Sequence, residues 1–151
     1  MPKIKRPFGR YTAIQYCDKL WSIIIRAGGE CCAVNRVANH VCSGALQGMH
    51  IEGRTSWALR HELFNGLPGC QGLHAYYTFR PMEWSAFVQK HFRDRYKLIS
   101  RTIAAGNTQK RNYYVIADTL RARLLVTDLE HTYSKEDQRI INSIINEVRE
   151  S

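Results

Sequence analysis

The sequence predicts a small α+β protein in which helices flank a short stretch of sheet. Apolar residues recur at helical spacing over residues 12–27, and an isoleucine-rich stripe of the same period follows Ser134. Between these segments, residues 45–51 are typical of a short strand. The chain has 151 residues, of which 44% are hydrophobic, so it can bury a core, and we expect one domain with terminal appendages.

Local signals place the elements of the first half. Residues 1–11 contain four basic residues and two prolines, which predict an extended basic arm. The helix over residues 12–27 is predicted to end at Gly28 and the glycine after it. Residues 53–64 lack a clear period and predict a loop, and Asn65 followed by glycine is a strong turn signal. The Leu-Pro-Gly that comes next is predicted to continue this irregular path.

Five helices are predicted in the second half. One begins near Leu73, and the next begins at Pro81, because proline is favoured in the first turn of a helix. Residues 94–105 and 112–125 carry further helical patterns, which a Gly-Asn break separates. The last helix follows Ser134, which forms a variant capping box with the aspartate three residues later. Its isoleucine stripe either packs on the main body or forms a dimer surface.

The charge is strongly basic and unevenly distributed. Lysine and arginine number 22 against 13 aspartate and glutamate residues, which gives a net charge of +9. Residues 1–125 hold 19 basic and 7 acidic residues, whereas residues 126–151 hold 3 and 6. This pattern favours a polyanion as partner, and the alternative is a soluble protein that happens to be basic. No apolar run approaches the ~18 residues of a membrane span, and no signal peptide is apparent, so we expect no membrane partner and a cytoplasmic location.

Five cysteines offer a second clue. They are Cys17, Cys31, Cys32, Cys42 and Cys70. An odd number of cysteines in an intracellular chain argues against a disulfide framework. Metal binding is the first alternative, and buried free thiols are the second. Cys17 lies on the apolar stripe of the first helix, so we assign it to the core.

Three polar residues within 25 positions suggest chemistry on a phosphodiester. They are His50, Asn65 and His74. A histidine can take the proton of an attacking water, and a divalent ion can act as a Lewis acid on the phosphate. An asparagine amide can hold an imidazole ring in position by hydrogen bonding. The three residues offer each of these parts once.

Five short motifs surround these residues. They are Cys-Asp-Lys-Leu-Trp-Ser-Ile-Ile-Ile-Arg at 17–26, Leu-Gln-Gly-Met-His-Ile at 46–51, Arg-His-Glu-Leu-Phe-Asn-Gly-Leu at 60–67, Cys-Gln-Gly-Leu-His at 70–74 and Phe-Arg-Pro-Met-Glu-Trp at 79–84. In this order, over about residues 16–105, they resemble the HNH endonucleases, in particular the small HNH proteins of bacteriophages and prophages. Each motif alone would be weak evidence, but five in the right order are specific.

The resemblance implies a fold and a division of the chain. The implied fold is a ββα-metal (His-Me finger) core surrounded by helices, in which a hairpin and one helix cradle an ion and the helix lies along the DNA minor groove. We therefore expect a basic arm at 1–11, an HNH nuclease domain at 12–105, and a C-terminal helical extension at 106–151 that packs on the core.

The resemblance also implies roles for individual residues. His50 would be the general base, Asn65 would orient it, and His74 would bind the catalytic metal ion. Many HNH proteins place a second metal ligand directly before the base, but here that position is Met49, a poor ligand for a hard cation. We expect Glu62 to complete the site, because its carboxylate suits Mg²⁺ or Mn²⁺; Zn²⁺ or Ni²⁺ are alternative ions, and the neighbouring histidine or water are alternative ligands.

Relatives often hold a structural zinc with two Cys-x-x-Cys pairs, and this chain departs from that pattern. Leu73 replaces the last cysteine, and the first pair is disturbed. The candidate zinc ligands are Cys32, Cys42 and Cys70, with His40 as a fourth and Cys31 as an alternative to Cys32. Adjacent cysteines cannot easily both bind one ion. The other interpretation is that the zinc is lost and apolar packing around Leu73 replaces it.

The resemblance implies a metal-dependent DNA endonuclease or nickase that acts on double-stranded DNA. Arg54, Arg60 and Arg80 lie near the motifs in sequence, and we expect one or more to contact phosphates, although a solvated basic face is the alternative. The implied setting is the cytoplasm of a bacterial host, as a phage or prophage protein. A homodimer or a phage packaging partner would fit that setting. The alternative function is a non-catalytic DNA-binding or phage-assembly protein that kept the HNH fold.

Overall fold

The computed structural model describes residues 8–53, 56–106 and 111–151. Within these ranges it contains six α-helices and one two-stranded antiparallel sheet, so the predicted α+β class is confirmed. The helices are α1 (Ala13–Ile25), α2 (Gln71–Thr78), α3 (Pro81–His91), α4 (Arg93–Ala105), α5 (Tyr113–Leu125) and α6 (Lys135–Glu150). The strands are β1 (Leu46–His50) and β2 (Gly66–Cys70), and a 3₁₀ turn at Leu63–Asn65 precedes β2.

The predicted helix starts coincide with capping side chains. The Thr12 hydroxyl accepts a hydrogen bond from the Gln15 N–H at 3.2 Å, and the Gln15 side chain accepts one from the Thr12 N–H at 3.1 Å. Ser134 caps α6 in the same way by accepting from the Asp137 N–H. Pro81 occupies the first turn of α3, where its missing N–H costs nothing. These signals act within one turn, which is why the sequence reveals them.

The segment after Asn65, which we predicted to be irregular, is the strand β2. It pairs with β1 so that His50 lies opposite Gly66. A Cβ on Gly66 would lie 2.5 Å from both Trp21 and Ile25 of α1. A Cβ on Gly69 would collide with the Met49 side chain. The glycines therefore serve close packing of the hairpin rather than a turn.

The hydrophobic core has two clusters, and the first joins α1, α5 and α6. Its buried side chains include Cys17, Leu20, Trp21, Ile23, Leu120, Leu124, Ile140, Ile141 and Ile144. Cys17 is fully buried, as predicted. Packing on the body accounts for the buried part of the isoleucine stripe, while Val148 at its end remains 53% exposed.

The second cluster lies around the hairpin and α3. Its buried side chains include Met49, Leu67, Leu73, Trp84, Phe87 and Val88, together with Cys31, Cys32 and Cys70. One face of the sheet packs on α1 and the other on α2 and α3, so the residues at the ends of both strands contact helices on both faces. No helix in the described ranges has both the length and the apolar character of a membrane-crossing segment.

Candidate functional site

Four metal-ligating side chains converge beside the end of β2. They are Cys31, His40, Cys42 and Cys70, and their ligand atoms all lie within 4.8 Å of one another. The first three come from the loops between α1 and β1, and Cys70 is the last residue of β2 and the N-cap of α2. In the parts of the chain that the structure describes, no other group of three or more histidine, cysteine or acidic residues is arranged in this way.

The spacing of these donors fits a tetrahedral ion. A tetrahedral zinc with ordinary Zn–S and Zn–N bonds separates its sulfur and nitrogen ligands by about 3.6 Å. The distances from His40 Nε2 to the thiol sulfurs are 3.7 Å for Cys31, 3.2 Å for Cys42 and 3.7 Å for Cys70. Three thiols and one imidazole are soft donors that suit zinc rather than magnesium or manganese. The group could therefore hold a metal ion, and zinc is the ion that its chemistry favours.

Backbone amides support two of the thiols as sulfur ligands. The Cys70 N–H donates to Cys31 Sγ at 3.4 Å, and the Leu73 N–H donates to Cys70 Sγ at 3.4 Å. Burial alone would raise the pKa of the Cys70 thiol, but hydrogen bonds from the backbone of Ser43 and Leu73 and from the neighbouring cysteine thiols together lower the pKa. A metal binds the thiolate rather than the thiol, so this environment prepares Cys70 as a ligand.

The structure places Cys31, which the sequence offered as the alternative, in this group instead of Cys32. The Cys32 N–H donates to the Pro68 carbonyl at 2.7 Å, and this contact with β2 fixes the direction of the turn. The Cys32 thiol is buried in the second cluster, and burial and the neighbouring Cys31 raise its pKa to about 12. His40 is the fourth donor of the group.

His50 lies at the end of β1 with its ring held on two sides. Its Nε2 lies 2.9 Å from the Arg60 carbonyl, which can only accept, so Nε2 carries the proton in this contact. In the neutral ring the basic nitrogen is then Nδ1. The imidazole also stacks on the indole of Trp21, with ring centroids 3.9 Å apart and planes at 5°. A half-buried, oriented imidazole of this kind is a suitable general base.

Asn65 acts on the loop that precedes it. Its side chain is fully buried, and its Oδ1 accepts from the Glu52 N–H at 2.8 Å. Its Nδ2 donates to the carbonyls of Glu52 at 3.1 Å and Leu59 at 3.0 Å. We predicted hydrogen bonds from this amide to the His50 ring, but these bonds go to backbone groups. Because Leu59 precedes Arg60, Asn65 positions the carbonyl that holds His50.

His74 approaches β1 from the side of α2. Its Nδ1 lies 2.6 Å from Gln47 Oε1. Side chains alternate along β1, so Gly48 and His50 face α1, while Gln47 and Met49 face α2. Met49, at the position where the resemblance led us to look for a second ligand, therefore lies on the same side as His74, but it is only 2% exposed and offers a thioether.

Glu62 does not join His74 in a ligand cluster among the described residues. It lines a cavity of about 180 Å³ with His61, Arg111 and residues of α5. Its backbone carbonyl accepts from the indole N–H of Trp21 at 3.0 Å, so its main chain supports the stacked ring. The residues that we predicted for a catalytic Mg²⁺ or Mn²⁺ are thus not assembled into a cage of hard oxygen donors.

The predicted phosphate-binding arginines have different surroundings. Arg60 forms a bidentate ion pair with Asp18, at 2.9 and 2.6 Å, and its side chain is only 15% exposed. Burial alone would raise the pKa of Asp18, but hydrogen bonds from His61 and Arg60 lower it well below its usual range. Arg80 is exposed and lies 4.0 Å from the ring centroid of Tyr76. Arg54 lies outside the described residues.

Comparison with known proteins gives no assignment: no family model, no curated protein and no solved structure matches this chain.

Three residues that contribute to the site were not predicted from the sequence. Trp21 lies on the apolar stripe of the first helix, and Asp18 and Gln47 had no local signal. Their partners lie 27 to 43 residues away in sequence, so only the folded chain reveals them.

Proposed function

We propose that this chain is a DNA-binding protein of the HNH type that hydrolyses phosphodiester bonds, as an endonuclease or nickase. The observation that carries the proposal is the order of parts along one hairpin. His50 ends β1, Asn65 clamps the loop that follows, and β2 leads directly into the helix that bears His74. This is the strand–strand–helix order that the resemblance implied.

His50 would take the proton of the attacking water at Nδ1. The Arg60 carbonyl and the Trp21 ring hold the imidazole in one orientation, so little reorganisation accompanies the proton transfer. A divalent ion, when bound, would supply charge stabilisation at the phosphate. Among the described residues His74 belongs to no group of three or more metal-ligating side chains, so we assign no step to that ion.

The structural role goes to the Cys31, His40, Cys42 and Cys70 group. A zinc ion there would tie the loop after α1 to the junction of β2 and α2. It would thereby fix the helix that carries His74. The proposed partner is double-stranded DNA, in the cytoplasm of a bacterial host and in a phage or prophage context.

The test is nicking of supercoiled plasmid with Mg²⁺, Mn²⁺, Ni²⁺ or Zn²⁺ added in turn. The proposal predicts conversion to the open circle with at least one of these ions. The His50→Ala variant should lose about 10²–10⁴-fold in rate while binding plasmid within several-fold of wild type. Undiminished cutting by that variant would exclude His50 as the base.

A second candidate is a non-catalytic DNA-binding or phage-assembly protein with the same fold. The buried Met49, on the same side of β1 as His74, favours it, because a thioether cannot replace the hard ligand that cleavage would require. Plasmid binding without nicking under all four ions would select this alternative.

A further inference from the structure

A basic groove lies between α3 and α4, apart from the arginines that the sequence predicted to bind DNA. It has a volume of about 520 Å³ and is lined by Ala86, Gln89, Lys90, Arg93, Tyr96 and Lys97. Lys90, Arg93 and Lys97 are all exposed. Arg101 follows one turn further along α4 and is also exposed.

Lys90, Arg93, Lys97 and Arg101 form no ion pair with an acidic side chain among the described residues. The ion pairs that the structure describes involve Arg10, Lys19, Arg26, Arg60, His61 and Arg121. Asp94 is the one acidic residue of α4, and Glu83 at the start of α3 accepts a hydrogen bond from the Tyr76 hydroxyl. The positive charge of the groove is therefore available to a ligand from solution.

The spacing of the cations suits an extended polyanion. Arg93, Lys97 and Arg101 follow each other at intervals of four residues, so they form one stripe about 12 Å long. One DNA strand carries a phosphate about every 3.4 Å along the helix axis, so the stripe can reach three phosphates. A small anion would gain little here, because exposed, solvated cations bind weakly one at a time.

We propose that the α3–α4 groove binds the sugar-phosphate backbone of duplex DNA and so positions the duplex for His50. This inference rests on the proposed function, and it names the surface that holds the substrate. We assign the phosphate contacts to this groove and not to Arg60, because the Arg60 guanidinium is ion-paired with Asp18.

Two contacts fix the groove relative to the hairpin. The Trp84 indole N–H of α3 donates to the His50 carbonyl at 3.2 Å. The Arg95 guanidinium of α4 donates to the carbonyl of Gly66, which lies opposite His50 in the sheet. A DNA backbone bound in the groove therefore has a fixed position relative to His50 at the end of β1.

The test compares two triple variants that each remove three exposed cations. One carries Arg93→Gln, Lys97→Gln and Arg101→Gln on the α4 stripe; the control carries Lys135→Gln, Arg139→Gln and Arg149→Gln on α6. The dissociation constant for a short DNA duplex is measured between about 50 and 200 mM NaCl. Three lost phosphate contacts should make the slope of log K against log salt shallower by about 2.7, so the affinity lost over this range shrinks by about 40-fold. The control should change the slope by less than about one.

The possible results of this measurement bear differently on the groove proposal and on the nuclease proposal. Equal slopes for the two variants would overturn the groove proposal, while the nuclease proposal would stand if wild type still nicks plasmid through His50. Failure of wild type to bind duplex DNA would overturn both. A preference of wild type for single-stranded DNA or RNA over duplex DNA would also overturn the groove proposal. Thermal unfolding of both variants checks that they are folded, which we expect because all six side chains are exposed.

Discussion

The two adjacent cysteines after α1 should differ sharply in their effect on zinc. Cys31 Sγ lies 3.7 Å from His40 Nε2 within the four-donor group, whereas the Cys32 thiol is buried in the apolar cluster. Cys31→Ala should therefore abolish zinc binding, and Cys32→Ala should retain it at near one equivalent. The two variants differ by one position and remove the same atom, so they are matched controls for each other.

The energetic consequence of losing zinc can be bounded. A ligand present at about 1,000 times its dissociation constant stabilises the folded state by about 4 kcal/mol. The free energy of zinc binding at structural sites in small domains exceeds this value, so about 4 kcal/mol is a lower bound on the stability lost with the ion. For a chain of this size, that loss lowers the melting temperature by about 8–16 °C. Cys32→Ala leaves a small cavity and should lower stability by only about 1 kcal/mol.

The assay combines elemental analysis of the purified protein with thermal unfolding before and after chelation. Wild type and Cys32→Ala should contain zinc and lose stability on chelation, and Cys31→Ala should show neither property. Zinc retained by Cys31→Ala, or zinc lost from Cys32→Ala, would refute the assignment of the donors. Absence of zinc from wild type prepared with the metal present would remove the site altogether.

Three further predictions concern the hairpin and its supports. Gly66→Ala should destabilise the fold by about 1–3 kcal/mol and reduce cleavage, because the new methyl would press on the Trp21 ring. The measurement is urea unfolding, and Gly28→Ala is the control because a methyl group there meets no neighbouring atom. Asn65→Ala should lower the free energy of unfolding by about 2–4 kcal/mol, since it removes three hydrogen bonds to the backbone of Glu52 and Leu59, of which the one to Leu59 is buried. A loss below about 1 kcal/mol would show that the loop is held by other contacts. The pKa of Asp18 is lowered in the folded state, so its ion pairs stabilise the fold above the unfolded pKa of about 4 and this stability is lost as the pH falls below it. Asp18→Asn should abolish that part of the pH dependence, and an unchanged acid unfolding profile would contradict it.

The sequence predicted those features whose physical cause lies within a few residues. Thr12, Ser134 and Pro81 mark helix starts because their contacts are made within the first turn. The hairpin strand β2 was missed because Gly66 and Gly69 are typical of turns. Their use here depends on Trp21, Ile25 and Met49, which are distant in sequence.

The site was predicted in part for the same reason. Its residue types were found, but the choice between Cys31 and Cys32 depends on a hydrogen bond to Pro68, 36 residues further along the chain. Arg60 was predicted to bind phosphate because it lies near the motifs in sequence. Its ion pair with Asp18 could not be foreseen, since Asp18 lies 42 residues earlier in the chain. Glu62 was chosen for its carboxylate, and no local signal showed that it would line a cavity with α5.

The rate of plasmid nicking by two histidine variants tests the central claim most directly. His50→Ala removes the imidazole at the end of β1, and His131→Ala removes a half-buried imidazole from the loop before α6. Under the ion that supports wild-type nicking, we predict that His131→Ala keeps a rate near wild type and that His50→Ala falls by at least about 100-fold. Equal rates for the two variants would contradict the account.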